Sequence, residues 1–344
     1  MASGLLLLLL GSVLSVRAAV GLAALLRVRP LIIGLTVVAL GSSAPQLAVG
    51  LQAALGSSPD IAVGSVVGSH IFNVLVTLGF CALIIPLRVP LQVVRVDIPL
   101  LIGACLLVFL LSRNGELDRL DGIALLMGLA GCLAVVLRQA SQSARHGHYR
   151  DDQRPSTLRS LATLAAGLLA LFSGGHLLVD ATVVIAIHLG LSERIMGLTL
   201  MAVATSMPAL FTSVIAALRG ERDIAVGNVI GSSLLNLLGV LGLTTLLAPQ
   251  ALSISPNSQV FDLPIMLGVA VLCLPLFHSG YRITRLKALL LLALYAAYGL
   301  DIIGFSTGML LAERLEGWVL RFILPPLAIL VLLGMLRAWW RQYR

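Results

Sequence analysis

The sequence predicts an all-α polytopic membrane protein made of two inverted-topology five-helix repeats plus an extra C-terminal helix. Three observations predict this class: the composition, the recurrence of apolar stretches, and an internal repeat. Of 344 residues, 59% are hydrophobic and 11% charged, with a mean hydropathy of +1.04. A soluble domain of this length cannot hide so much apolar surface, because its exposed area falls too slowly with size. Apolar stretches of about 20 residues, enough to cross the hydrocarbon core, recur along the chain. Lipid offers no partner to a free amide, so each must be helical.

In order, about eleven spans are expected, near 3–26, 31–55, 61–86, 97–112, 120–138, 159–188, 194–218, 224–248, 262–278, 286–304 and 319–337. The first carries the run Leu5 to Leu10. No Lys or Arg precedes Arg17, so the charged leader of a signal peptide is missing and the segment reads as a membrane helix.

Loop charge tests the order. One set of alternate loops holds Arg27 and Arg29, Arg88 and Arg95, Arg138 to Arg159, Arg219 and Arg222, then Arg282, Arg285 and Lys287. The other set holds Asp60, the mixed Glu116/Asp118/Arg119/Asp121 cluster, Glu193/Arg194, Asp262 and the mixed segment from Asp301 to Glu316. Basic loops stay cytoplasmic. The N-terminus is therefore expected outside, with the C-terminus and the 139–157 loop inside, in a membrane of the bacterial inner type. The net charge of +8 is thereby assigned to orienting loops and not to a nucleic-acid partner; lipid is the partner expected.

The segment 139–157, with His146, His148, Asp151 and Asp152, reads as a solvated linker. Two histidines on a flexible loop make a weak metal site at best. Cys81, Cys105, Cys132 and Cys273 lie inside apolar spans without metal-ligand spacing and read as small core residues. No cofactor is implied.

The repeat has an ungapped offset of 163 residues. Gly34-Leu35-Thr36 returns as Gly197-Leu198-Thr199, and Ser43-Ala44-Pro45 faces Ser206-Met207-Pro208. Asp60-Ile61-Ala62-Val63-Gly64 returns as Asp223-Ile224-Ala225-Val226-Gly227. Gly68-Ser69 and Asn73 face Gly231-Ser232 and Asn236, and the register reaches back to Gly11 and Gly174. Apolar composition aligns leucines by chance; it does not align Pro, Asp, Gly, Ser and Asn together. Five spans separate the copies, an odd number, so the second enters the membrane inverted. The expected division is residues 1–138, a linker over 139–157, residues 158–304, and a tail over 305–344. Inverted repeats are characteristic of alternating-access transporters, whose sites lie near the midplane between the copies.

Each copy sets a proline in mid-span, Pro45 and Pro208, just after Ser42-Ser43 and Thr205-Ser206. Proline lacks an amide hydrogen and crowds the preceding turn, so a kink or break is expected, freeing carbonyls near Ala39 and Ala202. Ser69 and Asn73, like Ser232 and Asn236, are four apart and share a helix face. These oxygens suit a hard cation. The bland alternative is that Ser and Thr bond back to their own helices while Asn joins helices together. His70 titrates or packs. Arg17 and Asp180, again 163 apart, form either a functional charge pair, which His176 would join, or a structural one.

These paired segments resemble the two signature repeats of the sodium/calcium exchanger family, within the calcium/cation antiporters. There each repeat reads Gly-Thr-Ser-x-Pro-Glu, then Asp-Ile-x-x-Gly-Asn-x-x-Gly-Ser-Asn-x-x-Asn/Asp. Here the first reads Gly41-Ser42-Ser43-Ala44-Pro45-Gln46, then Asp60 through Gly68-Ser69-His70-Ile71-Phe72-Asn73. The second reads Ala204-Thr205-Ser206-Met207-Pro208-Ala209, then Asp223 through Gly231-Ser232-Ser233-Leu234-Leu235-Asn236. The resemblance implies the family's ten-helix fold and antiport of cations, Na⁺ and Ca²⁺ among them. It also implies that Ser42, Ser43, Ser69, Asn73, Thr205, Ser206, Ser232 and Asn236 take ion-coordinating positions, with the carbonyls of Ala39 and Ala202. The two central glutamates fall on Gln46 and Ala209, so neither carboxylate is present. Gln46 supplies an amide oxygen, whereas Ala209 supplies none.

A membrane enzyme would need a nucleophile with its base, or a metal set such as His-Glu-x-x-His. The spans carry neither. The rival reading is a folded homologue that no longer transports and serves as a membrane binding or scaffold protein.

Overall fold

The computed structural model describes residues 2–56, 59–145, 157–188 and 196–307, with a few isolated positions beyond. The linker histidines His146 and His148 and nearly all of the span expected at 319–337 lie outside the described residues. The helices are α1 Ala2–Leu26, α2 Pro30–Leu55, α3 Asp60–Ile84, α4 Val93–Asn114 and α5 Arg119–Arg145. They continue with α6 Thr157–His188, α7 Met196–Leu218, α8 Arg222–Leu247, α9 Ser258–His278 and α10 Arg285–Thr307. Among the described residues, α1 to α9 contain nine stretches long and apolar enough to cross a membrane. The chain is an integral membrane protein, with its first ten helices at the places the apolar stretches indicate.

Irregularity recurs in both halves. A π-helical turn opens α2 at Gly34–Val38 and α7 at Met196–Met201. Others interrupt α3 at Asn73–Thr77 and α8 at Leu235–Val240, and open α4 at Val93–Asp97 and α9 at Ser258–Asp262. Such turns concentrate at functional sites. Here they correct one expectation: the helix runs without interruption through Pro45 and Pro208, and the departure from α geometry falls about two to three turns earlier. The carbonyl of Ala39 is met by the Ser42 hydroxyl at 3.1 Å, and that of Ala202 by Thr205 Oγ1 at 3.3 Å. Hydroxyls just before each proline thus bond back to their own helix.

Inversion can be read from packing. Gly11 of α1 lies against Leu171 and Gly167 of α6, while Gly174 of α6 lies against Gly4 and Leu8 of α1. Rising numbers on one helix meet falling numbers on the other, so these equivalent helices run antiparallel. Between α2 and α8, a methyl group added at Gly34 would fall 2.9 Å from the Ile224 carbonyl oxygen. Between α7 and α3, one at Gly197 would fall 3.3 Å from that of Ile61. Shifting either contact by 163 residues produces the other. Contacts that exchange in this way require a pseudo-twofold axis, and antiparallel equivalents place it in the bilayer plane.

The connections agree. Strand β1 Leu87–Arg88 pairs antiparallel with β4 Arg282–Ile283, and β2 Glu116–Leu117 with β3 Leu252–Ser253. An even number of spans separates the partners in each pair, as two loops on one membrane face require. Beside β4, the Lys287 ammonium donates to the carbonyls of Leu276, Ser279 and Arg282 at 2.5, 2.8 and 2.8 Å. It caps the C-terminal end of α9, where a cation suits the helix dipole.

The core centres on α3 and α8, whose spans are 83% and 89% buried, against 22% for α5. Gly68 of α3 and Gly231 of α8 explain the close approach. A methyl group on Gly68 would collide with the carbonyl oxygen of Leu198, and one on Gly231 with that of Leu35. Glycine at these crossings lets α7 and α2 lie backbone to backbone against the central pair.

Candidate functional site

The polar residues singled out in the two repeats meet where α2 and α7 cross α8 and α3. Pro45 and Pro208 both rest on one glycine of α6: a methyl group at Gly175 would fall 2.6 Å from Cγ of the first and 3.2 Å from Cγ of the second. The proline turns of the two halves therefore converge, as a midplane site requires.

Around them the side chains form two clusters at equivalent positions. On α8, Asn228 and Ser232 lie one turn apart. Ser42 of α2 places its Oγ 2.9 Å from Ser232 Oγ and 3.1 Å from Asn228 Oδ1. The Asn228 amide nitrogen donates to the Ala209 carbonyl at 3.1 Å and to Ser213 Oγ at 2.9 Å, both on α7. On α3, Ser65 and Ser69 lie one turn apart. Gln46 Nε2 of α2 donates to Ser65 Oγ at 2.8 Å, and Asn236 Nδ2 of α8 donates to Ser69 Oγ at 3.2 Å. Every one of these side chains is buried.

Of the site residues expected from sequence, Ser42, Gln46, Ser69, Ser232 and Asn236 thus take part in contacts between helices of the two repeats or within one. Thr205 does not: its hydroxyl bonds back to Met201 at 2.7 Å, the bland alternative for a helical threonine. Ser43, Ser206 and both amide atoms of Asn73 are buried without a hydrogen-bond partner. Buried polar atoms are ordinarily paired, so unpartnered oxygens in both copies of the motif stand out.

The residues that sequence reasoning missed are Ser65, Asn228 and Ser213. Ser65 and Asn228 are equivalent under the 163-residue offset and follow the glycine of the Asp-Ile-Ala-Val-Gly motif. A search for identical residues in the two copies passes over a Ser matched to an Asn. A search for polar residues on the face of Ser69 and Ser232 would have found both.

Arg17 and Asp180 require a correction. Among the described residues no ion pair joins them; Asp180 Oδ2 instead meets His176 Nδ1 at 3.0 Å. The antiparallel register explains this. With Gly11 level with Leu171, Arg17 lies level with residue 165, about fifteen residues and roughly 22 Å of helix from Asp180. Equivalent positions on inverted helices fall toward opposite faces of the membrane. His70 packs: it is fully buried, with Nε2 3.7 Å from Cys105 Sγ.

A cavity of about 360 Å³ opens beside the cluster, lined by Val49, Gln52 and Gly56 of α2, Ile61 of α3, and Val179 and Asp180 of α6, among others. Of the equivalent residues at the other end of the bundle, Val16, Val38, Ala216 and Ile224 are at most 1% exposed, whereas Arg17 and Arg219 are exposed.

An inverted pair of five-helix units around a buried polar cluster defines the architecture of a secondary transporter. The sodium/calcium exchanger protein family matches residues 1–138 and 159–302, and the chain belongs to that family. It is 35% identical over 302 residues to the putative antiporter CaxA of Alkalimonas amylolytica, covering 86% of this chain and 95% of that protein. It is 36% identical over 253 residues to the inner membrane protein YrbG of Escherichia coli K12, covering 71% of this chain and 77% of the relative. It superposes on solved structures of the sodium-calcium exchanger NCX_Mj, with a TM-score of 0.72 and 28% identity over 89% of this chain and 96% of that one.

Proposed function

We propose that the chain is a secondary active cation antiporter of the sodium/calcium exchanger type, working by alternating access around a midplane site between residues 1–138 and 158–304. The observation that carries this reading is the exchange of contacts about the pseudo-twofold axis. It supports a site between the copies built on Ser42, Gln46, Ser69, Ser232 and Asn236, which make hydrogen bonds across α2, α3 and α8. The cavity bordered by Ile61 and Met201 supports it, since two inverted copies related by an axis in the membrane plane can trade which end is open. The sites of this reading bind and release ions and do no covalent chemistry. The relatives' names supply Na⁺ and Ca²⁺ as the cations to test.

Loop charge supports a cytoplasmic face carrying Arg27, Arg29, Arg88, Arg95, Arg219, Arg222, Arg282 and Lys287, with the N-terminus outside. On that assignment the open cavity faces outward. The relatedness to YrbG supports a bacterial inner membrane. A non-transporting scaffold is the second reading, favoured by the absence of a carboxylate at positions 46 and 209.

Reconstitution separates the two readings. The purified full chain in liposomes preloaded with Na⁺, K⁺ or Ca²⁺ should accelerate counterflow of ²²Na⁺ or ⁴⁵Ca²⁺ relative to protein-free vesicles. Uptake indistinguishable from protein-free vesicles for every ion pair would leave the scaffold reading in its place.

A further inference from the structure

We propose that Arg17 of α1 and Arg219 at the end of α7 hold the headgroup of an anionic phospholipid, whose acyl chain lies along the outer face of α1. Most basic residues of the chain stand in connections or close to helix ends, where they orient the spans. Arg17 does not: it lies nine residues before the end of α1 at Leu26, and its side chain is exposed. A guanidinium on the outer face of a membrane helix is costly unless it reaches the interface or meets an opposite charge. Among the described residues no carboxylate pairs with Arg17 or Arg219, not even Glu221 and Asp223, which follow Arg219 in the chain.

Packing sets the depth of the pair. Ser12 Oγ of α1 lies 3.3 Å from Thr212 Oγ1 of α7. The first and seventh spans run the same way, so Arg17, five residues beyond Ser12, comes level with the end of α7 at Leu218. Arg219 follows there, also exposed, and its Nη1 reaches back to the Val13 carbonyl at 3.3 Å. In an α-helix that carbonyl belongs to the turn that carries Arg17. Two unpaired guanidinium groups therefore share one turn of α1, at the depth where the bundle meets the headgroups.

Beneath them lies an apolar track. Leu6, Leu10, Val13 and Arg17 are spaced by four, three and four residues and share one helix face. Leu6 and Leu10 are 60% and 57% exposed, whereas Gly4, Leu8 and Gly11 on the opposite face are buried against α6. From Leu6 to Arg17 the track is about 16 Å long, which matches one leaflet, half of a hydrocarbon core about 30 Å thick.

A phosphate supplies what this arrangement lacks. Its oxygens accept the paired N–H groups of a guanidinium fork, and one anion between two cations offsets their repulsion. Basic sites of this kind between membrane helices hold lipid phosphate. The apolar track selects a lipid over free phosphate, and loop charge places it in the cytoplasmic leaflet. Bound there, the lipid joins α1 to α7.

The test is native mass spectrometry of the full chain, released from micelles titrated with dioleoyl phosphatidylglycerol or dioleoyl phosphatidylcholine. The two lipids share their chains and differ in headgroup charge. The wild type should retain phosphatidylglycerol with an affinity at least about tenfold above phosphatidylcholine. Arg17→Gln and Arg219→Gln should each erase at least about fivefold of that preference, and Arg138→Gln, at an exposed arginine of α5, less than about twofold. Equal retention of the two lipids by the wild type would overturn the site and needs no variant. Equal losses in Arg17→Gln and Arg138→Gln would overturn it too, leaving only the general attraction of a basic surface. Displacement of phosphatidylglycerol by millimolar inorganic phosphate would make this a free-anion site and overturn the lipid assignment.

Discussion

At one end of the bundle Ile61, Val179 and Met201 border a cavity of about 360 Å³; at the other, their equivalents Ile224, Val16 and Val38 are at most 1% exposed. The repeats are close copies in sequence, so composition alone does not set which end is open. One particular substitution accompanies the difference. Arg219, at the closed end, reaches across to the Val13 carbonyl at 3.3 Å and ties α7 to α1. Its equivalent at the open end is Gly56, which has no side chain to reach with. The polar clusters differ as well, Gln46 and Ser65 in one copy standing where Ala209 and Asn228 stand in the other. A pseudo-symmetric scaffold thus allows two states, and single side chains bias the choice.

The comparison can be broken at its root by attacking the axis itself. Gly68→Leu and Gly231→Leu should each destabilise the protein by more than the roughly 1–3 kcal/mol typical of overpacking, since the added atoms meet backbone and not a movable side chain. Thermal unfolding in detergent should show comparable losses for the two. A large loss in one alone would mean that the two crossings are not equivalent. The next effect sharpens the contrast between the clusters. Asn228→Leu should cost about 1–3 kcal/mol of stability, because the Ala209 carbonyl and two serine hydroxyls lose their buried partner. Gln46→Leu should cost less, since the Ser65 hydroxyl keeps its bond to the Ala62 carbonyl at 3.0 Å; equal melting shifts would contradict this difference between the clusters.

A smaller effect tests the closed end. Arg219→Gly copies the residue of the open end, and should increase maleimide labelling of a cysteine placed at Ala216 severalfold without changing the fold by circular dichroism. Background labelling will be low, because Cys81, Cys105, Cys132 and Cys273 are all buried. Unchanged labelling would remove Arg219 from the account of why that end is shut. The smallest effect belongs to Asp180, which lines the cavity but is 61% exposed and bonded to His176. Asp180→Asn should lower the apparent cation affinity about twofold at low ionic strength and by nothing measurable at high salt, where exposed charges are screened. A salt-independent loss would instead indicate direct coordination.

Much of this was legible in the chain. The ten described helices, their order, the repeat and its inversion follow from apolar length, loop charge and an offset that aligns unlike residues together. So does the meeting of Pro45 with Pro208, once an axis in the membrane plane is inferred. The site was legible in part. Ser42, Gln46, Ser69, Ser232 and Asn236 meet because they sit in duplicated motifs, whereas Ser65 and Asn228 escaped notice because a Ser and an Asn do not look like copies. The effect of Pro45 and Pro208 was misplaced, since nothing local announces that a π-helical turn will take up the irregularity farther upstream.

Residue sequence by itself determined the class, the number of described spans and the duplication, because hydrophobic length and glycine, proline and asparagine spacing are local quantities that lipid reads directly. Only the tertiary structure decided which oxygens stay unpaired, which end opens, and that Arg17 and Asp180 stand far apart. Those depend on the antiparallel register of α1 with α6 and on hydrogen bonds between helices more than 150 residues apart in the chain, as in Ser42 with Ser232 and Asn236 with Ser69. Pairing at such range is fixed by packing geometry, which residue identity constrains but does not state.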